Sequence, residues 1–243
     1  IYDKLGFKDI YIPPAPGDAG GAIGAAILCD KKFFNNSKIY YSTPYIGSIT
    51  DGSKIEKKIK SILHSSKERE NISLNFYEKD QDLVGEVAKE IYKEKVVGWY
   101  QDRMEWGPRA LGNRSILANP CSPNMKEIIN LKIKRRESFR PFAPSILFED
   151  LSDWFELKEK SPYMLLVADV KKSLQIPMTD QNKKLFGIDK LNIKRSSIPA
   201  VTHVDYSARI QTVHKETNAR YYALLKKFKE ITDCPVLVNT SFN

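Results

Sequence analysis

The spacing of apolar and polar residues along the chain predicts helices and strands in mixed order. Two stretches, 81–95 and 217–231, carry apolar residues at helical spacing on one face and are predicted to be amphipathic helices. The inward positions of the second are Tyr221, Leu224, Leu225 and Phe228. Short apolar runs predict strands at 8–12, 73–77, 96–100, 115–118, 144–148, 163–170, 200–205, 208–214 and 235–243.

Glycine, proline and polar residues predict the remaining elements. Residues 13–28 are predicted to be a turn leading into a small-residue helix, and residues 53–69 a basic helix. Ser122-Pro123 predicts the start of a helix that runs to about Lys134. The predicted irregular segments are a linker at 35–51, a polar loop at 101–113 and a long loop at 171–195. Because strands and helices do not alternate strictly, we expect an α/β (α+β) fold with a mixed sheet rather than a doubly wound one.

The charge is concentrated in two blocks. The 243 residues include 39 basic and 30 acidic side chains, a net charge of +9. Residues 101–140 and residues 171–195 each carry an excess of about five positive charges. A localised cationic block indicates a phosphate-bearing partner, which could be a nucleotide, a phosphorylated metabolite or a nucleic acid. The first block is rich in arginine, whose planar guanidinium suits oxyanions.

Composition excludes several classes of protein. The three cysteines lie far apart without a CxxC pair, which argues against a disulfide scaffold or a zinc ribbon. The three histidines show no metal-ligand spacing. The longest apolar run, residues 22–29, is too short to cross a bilayer. We therefore expect a cytoplasmic protein with no membrane partner and no signal peptide.

The first motif with candidate chemistry is the loop QDRMEWGPRALGNRS at 101–115. Arg103, Arg109 and Arg114 alternate with glycines, which let main-chain N–H groups face an anion. The alternative is a solvated loop whose arginines pair with Asp102 and Glu105.

The second motif is IKRRESFRPFAPS at 133–145. Lys134, Arg136 and Arg140 lie at the end of a predicted helix and in the turn after it. One of them could simply complement the helix dipole. The stretch between Lys132 and Arg140 nevertheless has more basic residues than a cap needs, against only Glu137. A phosphate or acyl-phosphate site is the favoured interpretation.

The third motif combines Arg209 on a strand with the strand tip Asn239-Thr240-Ser241. These residues place hydrogen-bond donors beside strand ends. The alternative is an ordinary polar surface at two strand ends.

The fourth motif is PGDAGGAIGAA at 16–26, where Asp18 lies at a glycine-rich helix entry. Its carboxylate could be a metal ligand or a plain N-cap.

Four of these segments resemble one family. WYQDRMEWGPRALGNRSILANP, NLKIKRRESFRPFAPS, ARIQTVHKETNARYYALL and CPVLVNTSFN are similar, in this order, to motifs of the O-carbamoyltransferases of the nodulation and tobramycin-carbamoylating type. PPAPGDAGGAIGAA resembles the segment that closes the first domain of that family. The resemblance covers most of the chain, except about 41–95 and 155–198.

The resemblance implies a two-domain enzyme. Its first domain would be actin/Hsp70-like, with a metal held by two histidines and an aspartate. Its second would be a YrdC-like twisted mixed sheet with flanking helices that joins carbamoyl phosphate to ATP, giving carbamoyl-adenylate and pyrophosphate. The carbamoyl group then passes to a hydroxyl of a sugar or natural product. On this chain, residues 1–38 would be a remnant of the first domain and 39–243 the second, so we expect a fragment trimmed at both ends.

The resemblance also implies residue roles. Catalytic roles fall on Lys134, Arg140, Arg209 and Ser241. Substrate or nucleotide binding falls on Arg109, Arg114, Arg136, Asn239 and Thr240. Asn239, Thr240 and Ser241 are expected to donate hydrogen bonds to the phosphate or the carbamoyl oxygen. Mg²⁺ would accompany ATP, and Asp18 would be one ligand of an iron whose histidines are absent here.

An alternative from another class is an RNA- or tRNA-binding YrdC-type module that uses threonine, bicarbonate and ATP. The runs RMEWGPRALGNR and FRPFAP favour the carbamoyltransferase interpretation, so a nucleic-acid partner is not expected. A purely structural domain would leave the clustered arginines without a purpose.

Overall fold

The computed structural model describes residues 6–8, 10–34, 43–49, 52–65 and 71–242, which build a mixed α/β fold around a six-stranded sheet. The strands are β1 Val97–Tyr100, β2 Arg114–Ala118, β3 Ala143–Leu147, β4 Leu166–Asp169, β5 Ser207–Val213 and β6 Val236–Thr240. Their order is β1-β2-β6-β3-β5-β4. Only β3 and β5 are parallel within this described sheet, and the other neighbours are antiparallel. The predicted mixed sheet is confirmed.

Helices flank the sheet, as expected. They are α1 Asp18–Phe34, α2 Gly52–Ser65, α3 Asp80–Tyr92, α4 Met125–Ile128, α5 Leu151–Trp154, α6 Asp180–Lys184, α7 Gly187–Leu191 and α8 Ala219–Thr232. A π-helical turn, Ile129–Lys134, continues α4 directly. Short 3₁₀ turns cover Phe148–Asp150 and Lys172–Leu174.

The two amphipathic helices pack on each other and on the sheet. The predicted inward face of α8 is confirmed, since its four apolar positions are all buried. The side chain of Asn218 caps this helix by accepting the N–H of Tyr221 at 3.3 Å. Ala88 and Ile91 of α3 lie in the same buried cluster as Leu117 of the sheet. This shared core fixes the position of the sheet edge described below.

Three predicted strands do not form. Residues 10–12 and 73–77 are not paired in the sheet, and residue 9 lies outside the described ranges. Leu74 and Phe76 are exposed, so the apolar run at 73–77 has neither a partner strand nor a core to cover. Residues 200–205 form a turn instead, in which Tyr206 N–H donates to His203 O at 3.1 Å and reverses the chain into β5.

Other predicted boundaries moved or cannot be compared. Residues 43–49 of the predicted linker are irregular, and its other residues lie outside the described part of the chain, as do 66–69 of the basic helix. The predicted loop 171–195 contains α6 and α7. Helix α4 begins at Met125, later than predicted, because residues 122–124 form a turn in which Met125 N–H donates to Ser122 O at 3.4 Å.

In the ranges given above, no helix has both the length and the apolar character needed to cross a membrane.

Candidate functional site

One edge of the sheet gathers most of the predicted site residues. Strand β6 lies between β2 and β3 and is antiparallel to both, so its last residues face the first residues of those strands. Thr240 pairs with Ile116, and Asn239 pairs with Ala143. Because β5 is parallel to β3, Arg209 near its start comes to the same edge.

A cavity of about 290 Å³ opens at this edge. The predicted residues that line it are Arg109, Lys134, Arg136, Arg209, Asn239, Thr240 and Ser241. Among the described residues around the cavity there is no aspartate or glutamate. Segments far apart in sequence therefore converge on one strongly cationic cavity.

The π-helical turn carries Lys134 to the cavity. Lys134 Nζ donates to the main-chain oxygen of Ser241 and lies 3.5 Å from its hydroxyl oxygen. Burial, and then the charge of Arg136, lower the pKa of Lys134. The turn ends at Arg135, whose φ of 49° is left-handed and redirects the chain.

Asn130 organises the turn that follows, and the sequence predictions missed it. Its fully buried amide accepts from Arg136 Nε at 2.7 Å and donates to Ser138 O and Arg140 O. The Arg136 guanidinium also lies 5.1 Å from the centre of the Phe142 ring. A single amide among the apolar residues of the helix was the one available sequence signal. Asn130 therefore holds Arg136 against the cavity.

Arg209 is half-buried beside another cation. One of its terminal nitrogens lies 3.8 Å from Met164 Sδ, and its buried Nε has no hydrogen-bond partner among the described residues. Burial, and then the charge of Arg109, lower the pKa of Arg209. Cations held together without an acidic partner are typical of a site that binds an anion.

The loop at 101–113 contains the expected nest of main-chain N–H groups, but it is filled by the chain itself. Glu105 is only 3% exposed, and one of its carboxylate oxygens accepts three main-chain N–H groups. They belong to Leu111 at 2.6 Å, Asn113 at 2.8 Å and Arg114 at 3.1 Å. The nest therefore shapes the loop that carries Arg109 and is not itself open to a ligand.

Three predicted residues lie outside the cavity lining. Arg114 donates to the main-chain oxygen of Gly107 at 3.3 Å. Arg140 is exposed and pairs with Glu137 at 3.2 Å. Asp18 is exposed at the first residue of α1. Among the described residues, no group of three or more His, Cys, Asp or Glu side chains could hold a metal ion. The role of Asp18 as an iron ligand stays a prediction, because its partner histidines were expected to be absent from this chain.

A second cavity, of about 300 Å³, adjoins the same face of β5. Gln211, two residues beyond Arg209, lines it together with Tyr45, Tyr163 and Asn218. Tyr45 donates to Leu111 O at 2.8 Å and accepts from Asn218 at 3.2 Å, and burial raises its pKa. Sequence reasoning missed Tyr45 because it lies in the predicted linker.

Fold and site together define an α/β domain with a strongly cationic cavity. Two family models match the chain, described as "Carbamoyltransferase C-terminus" over residues 88–243 and "Carbamoyltransferase N-terminus" over residues 1–27. The chain belongs to the carbamoyltransferase family.

Similar chains occur in several organisms. The uncharacterized protein sll1178 of Synechocystis is 52% identical over 242 residues, covering 98% of this chain and 38% of that protein. Nodulation protein NolNO of Sinorhizobium fredii is 36% identical over 249 residues, covering 98% of this chain and 31% of that protein. Nodulation protein NolO of Bradyrhizobium diazoefficiens is 35% identical over 252 residues, covering 100% of this chain and 40% of that protein. The chain thus spans 31–40% of the length of these relatives.

Proposed function

We propose that the cationic cavity activates a carbamoyl group for an O-carbamoyltransferase. It binds carbamoyl phosphate and the phosphates of ATP and forms carbamoyl-adenylate, from which the carbamoyl group passes to an acceptor hydroxyl. The observation that supports this proposal is the convergence of Arg109, Lys134, Arg136 and Arg209 on one cavity without an acidic residue in its described lining. Membership of the carbamoyltransferase family supports the choice of carbamoyl donor.

The proposed reaction balances with one water. Water cleaves the O–P bond of carbamoyl phosphate, which gives carbamate and inorganic phosphate. A carbamate oxygen then attacks the α-phosphorus of ATP, forming the new O–P bond as pyrophosphate leaves. Apart from water, every reactant and product is an anion, so the protein acts mainly by neutralising charge and positioning the reactants.

The cavity residues supply that neutralisation in different ways. The guanidinium groups of Arg136 and Arg209 come from different elements. Arg136 lies just after the π-helical turn, and Arg209 lies on strand β5. Lys134 holds the chain at Ser241, so the hydroxyls of Ser241 and Thr240 are presented at the strand tip as donors to phosphate oxygens. We do not extend this role to Asn239, because its amide nitrogen has two N–H groups and already lies within 3.0 Å of three protein acceptors.

The second cavity is the place we propose for the nucleoside of ATP. Tyr45 and Tyr163 offer aromatic surface there, and Gln211 and Asn218 offer amides. Mg²⁺ would enter bound to the ATP phosphates, since the described lining of the cationic cavity offers no carboxylate. The acceptor hydroxyl, on a sugar or natural product, would belong to another part of the whole protein.

The proposal includes the domain assignment and the compartment. Residues 1–38 would belong to the carbamoyl-transfer unit, residues 39–243 to the adenylate-forming unit, and the protein would act in the cytoplasm. A bounded cavity of about 290 Å³ suits a small phosphorylated ligand better than the open cationic surface that RNA requires.

A release assay tests the proposal. This chain should release pyrophosphate from ATP only when carbamoyl phosphate is present, and calorimetric titration should show one site for carbamoyl phosphate. Lys134→Ala should slow release by about 10²–10³-fold, because a charge contact to the transition state is lost. Lys132→Ala is the matched control, since Lys132 is an exposed lysine on the same turn outside the cavity. Equal rates in the two variants, or binding of RNA with steep salt dependence and no binding of carbamoyl phosphate, would contradict the proposal.

A further inference from the structure

Two cysteines, Cys121 and Cys234, come together in the fold although more than a hundred residues separate them in the chain. Strand β2 pairs with β6 up to Ala118, which lies opposite Val238. Cys121 comes three residues after Ala118. Cys234 comes four residues before Val238. Because β2 and β6 are antiparallel, both cysteines lie at the same end of the two strands, opposite the end that reaches the cationic cavity.

The two thiols contact each other in the main hydrophobic core. Cys234 is only 3% exposed, and Cys121 is partly buried and packs against the same core. A side-chain hydrogen bond joins the two thiols, and both are free cysteines. Cys121 N–H donates to Asn119 Oδ1 at 2.9 Å, and Cys234 N–H donates to Thr232 Oγ1 at 3.1 Å, so the main chain of each cysteine is held in place. Thiols in such contact need only a local adjustment to form a disulfide.

The two cysteines differ in acidity and in access. The hydrogen bond from Cys234 lowers the pKa of Cys121 against the opposing effect of burial, and the charge of Lys194 lowers it further. The same hydrogen bond, together with burial, raises the pKa of Cys234. Cys121 is therefore the thiol that ionises and that an oxidant reaches, while Cys234 stays protonated beside it.

We infer that Cys121 and Cys234 form a redox-sensitive pair, in which a peroxide oxidises Cys121 and Cys234 completes a disulfide. The Cys121 sulfur attacks one oxygen of hydrogen peroxide and breaks the O–O bond, which gives a sulfenic acid and water. The Cys234 sulfur then attacks the Cys121 sulfur, and the sulfenic oxygen leaves as a second water with the remaining thiol proton. Two thiols and one peroxide thus give one disulfide and two waters. The inference goes beyond the proposed function and does not depend on it.

The disulfide would fasten β6, an interior strand of the sheet, to its neighbour β2. It would close a loop of more than a hundred residues, and a cross-link over such a long loop strongly restricts the unfolded chain. The oxidised chain should therefore unfold at a Tm roughly 4–16 °C above that of the reduced chain. Dithiothreitol should reverse the shift.

Peptide mapping of the purified chain tests the inference. After brief exposure to hydrogen peroxide, alkylation of the remaining thiols and digestion without reductant, mass spectrometry should find the peptides of Cys121 and Cys234 joined. Cys29→Ser is the matched control, because Cys29 is an exposed cysteine on α1, and the same link should form in that variant. Cys234→Ser should leave Cys121 as a sulfenic acid that dimedone labels, and the rise in Tm should disappear.

The wild-type map alone can overturn the inference. It does so if Cys121 remains a thiol or is found only as its sulfinic acid, or if Cys29 takes part in the disulfides that form instead. A link between Cys121 and Cys234 that forms only in urea also overturns it, because the fold would then hold the two thiols apart. A rise in Tm after peroxide that is as large in Cys234→Ser as in wild type would contradict the stabilising effect of the link.

Discussion

Substitution by methionine should change the stability of the fold in opposite directions at Arg195 and at Arg209. Arg195 is 5% exposed and donates to three main-chain oxygens around the end of α7, those of Lys190, Leu191 and Ile193, at 2.6–3.1 Å. Both arginines have a buried Nε without a hydrogen-bond partner in the described chain. Arg209 otherwise has only a contact to a thioether sulfur and a cationic neighbour. Replacement by methionine keeps an apolar stem in both positions and removes the charge.

The magnitudes follow from these contacts. Arg195→Met removes the hydrogen bonds to three main-chain oxygens, of which only Leu191 O keeps another donor in the described chain, Lys126 Nζ at 3.4 Å, so it should lower the free energy of unfolding by about 2–4 kcal/mol. In a chain of this size that corresponds to a drop in Tm of roughly 4–16 °C. Arg209→Met removes a desolvated charge and its repulsion from Arg109, so it should raise the free energy of unfolding by about 0.5–2 kcal/mol.

Thermal and urea unfolding, each with and without inorganic phosphate, would measure both effects. Phosphate should stabilise wild type and Arg195→Met through binding to the folded state, and should stabilise Arg209→Met much less. The reasoning is refuted if Arg209→Met loses more than about 1 kcal/mol at an unchanged urea m-value, since the guanidinium would then be structural. It is also refuted if phosphate stabilises Arg209→Met as strongly as wild type.

Two further predictions concern the groups around the cavity. Because the pKa of Lys134 is lowered in the folded state, the unfolded chain binds that proton more tightly. The free energy of unfolding should therefore rise with pH between the lowered pKa and the usual 10.5. Phosphate affinity should fall over the same pH interval, because Lys134 loses its charge. Titration with phosphate across that range should show the fall in wild type and not in Lys134→Arg, and a flat wild-type profile would contradict the assignment. Glu105→Gln should lower the free energy of unfolding by about 1.5–3 kcal/mol in urea, because three main-chain N–H groups lose a charged acceptor. Asp102 lies in the same loop as Glu105 and forms an exposed ion pair with Arg220 at 3.7 Å, so Asp102→Asn should change the free energy of unfolding by less than about 1 kcal/mol. Equal losses in the two variants would refute a special role for Glu105.

The elements that could be predicted are those whose pattern is long enough to be specific. Helices α3 and α8 repeat their apolar positions over three or more turns, and both formed where the spacing placed them. The runs at 73–77 and 200–205 are as apolar as true strands, but a strand also needs a neighbour with unpaired backbone groups. That requirement depends on distant segments, and a five-residue pattern carries no information about it.

For the site, too, the local sequence predicts single residues but not how they come together. Lys134, Arg136 and Arg209 could each be selected from local composition or motif, but their meeting depends on the insertion of β6 between β2 and β3. The expected donor role of Asn239 stays a prediction. Its amide nitrogen faces acceptors on Ala110, Ser145 and Gln211, and a local motif carries no information about such distant neighbours.

The position of Glu105 explains how an acidic residue can belong to a basic site. A carboxylate in the cavity lining would neutralise the arginines and compete with the ligand. Three main-chain N–H groups instead hold the Glu105 carboxylate within its own loop, so its charge fixes the loop that carries Arg109 without entering the described lining. The cavity therefore keeps its excess positive charge, and burial, followed by the charge of a neighbouring arginine, lowers the pKa of Lys134 and of Arg209. If a phosphorylated ligand binds here as proposed, its charge would offset this cost, so part of the affinity would come from relieving a cost already present in the free fold.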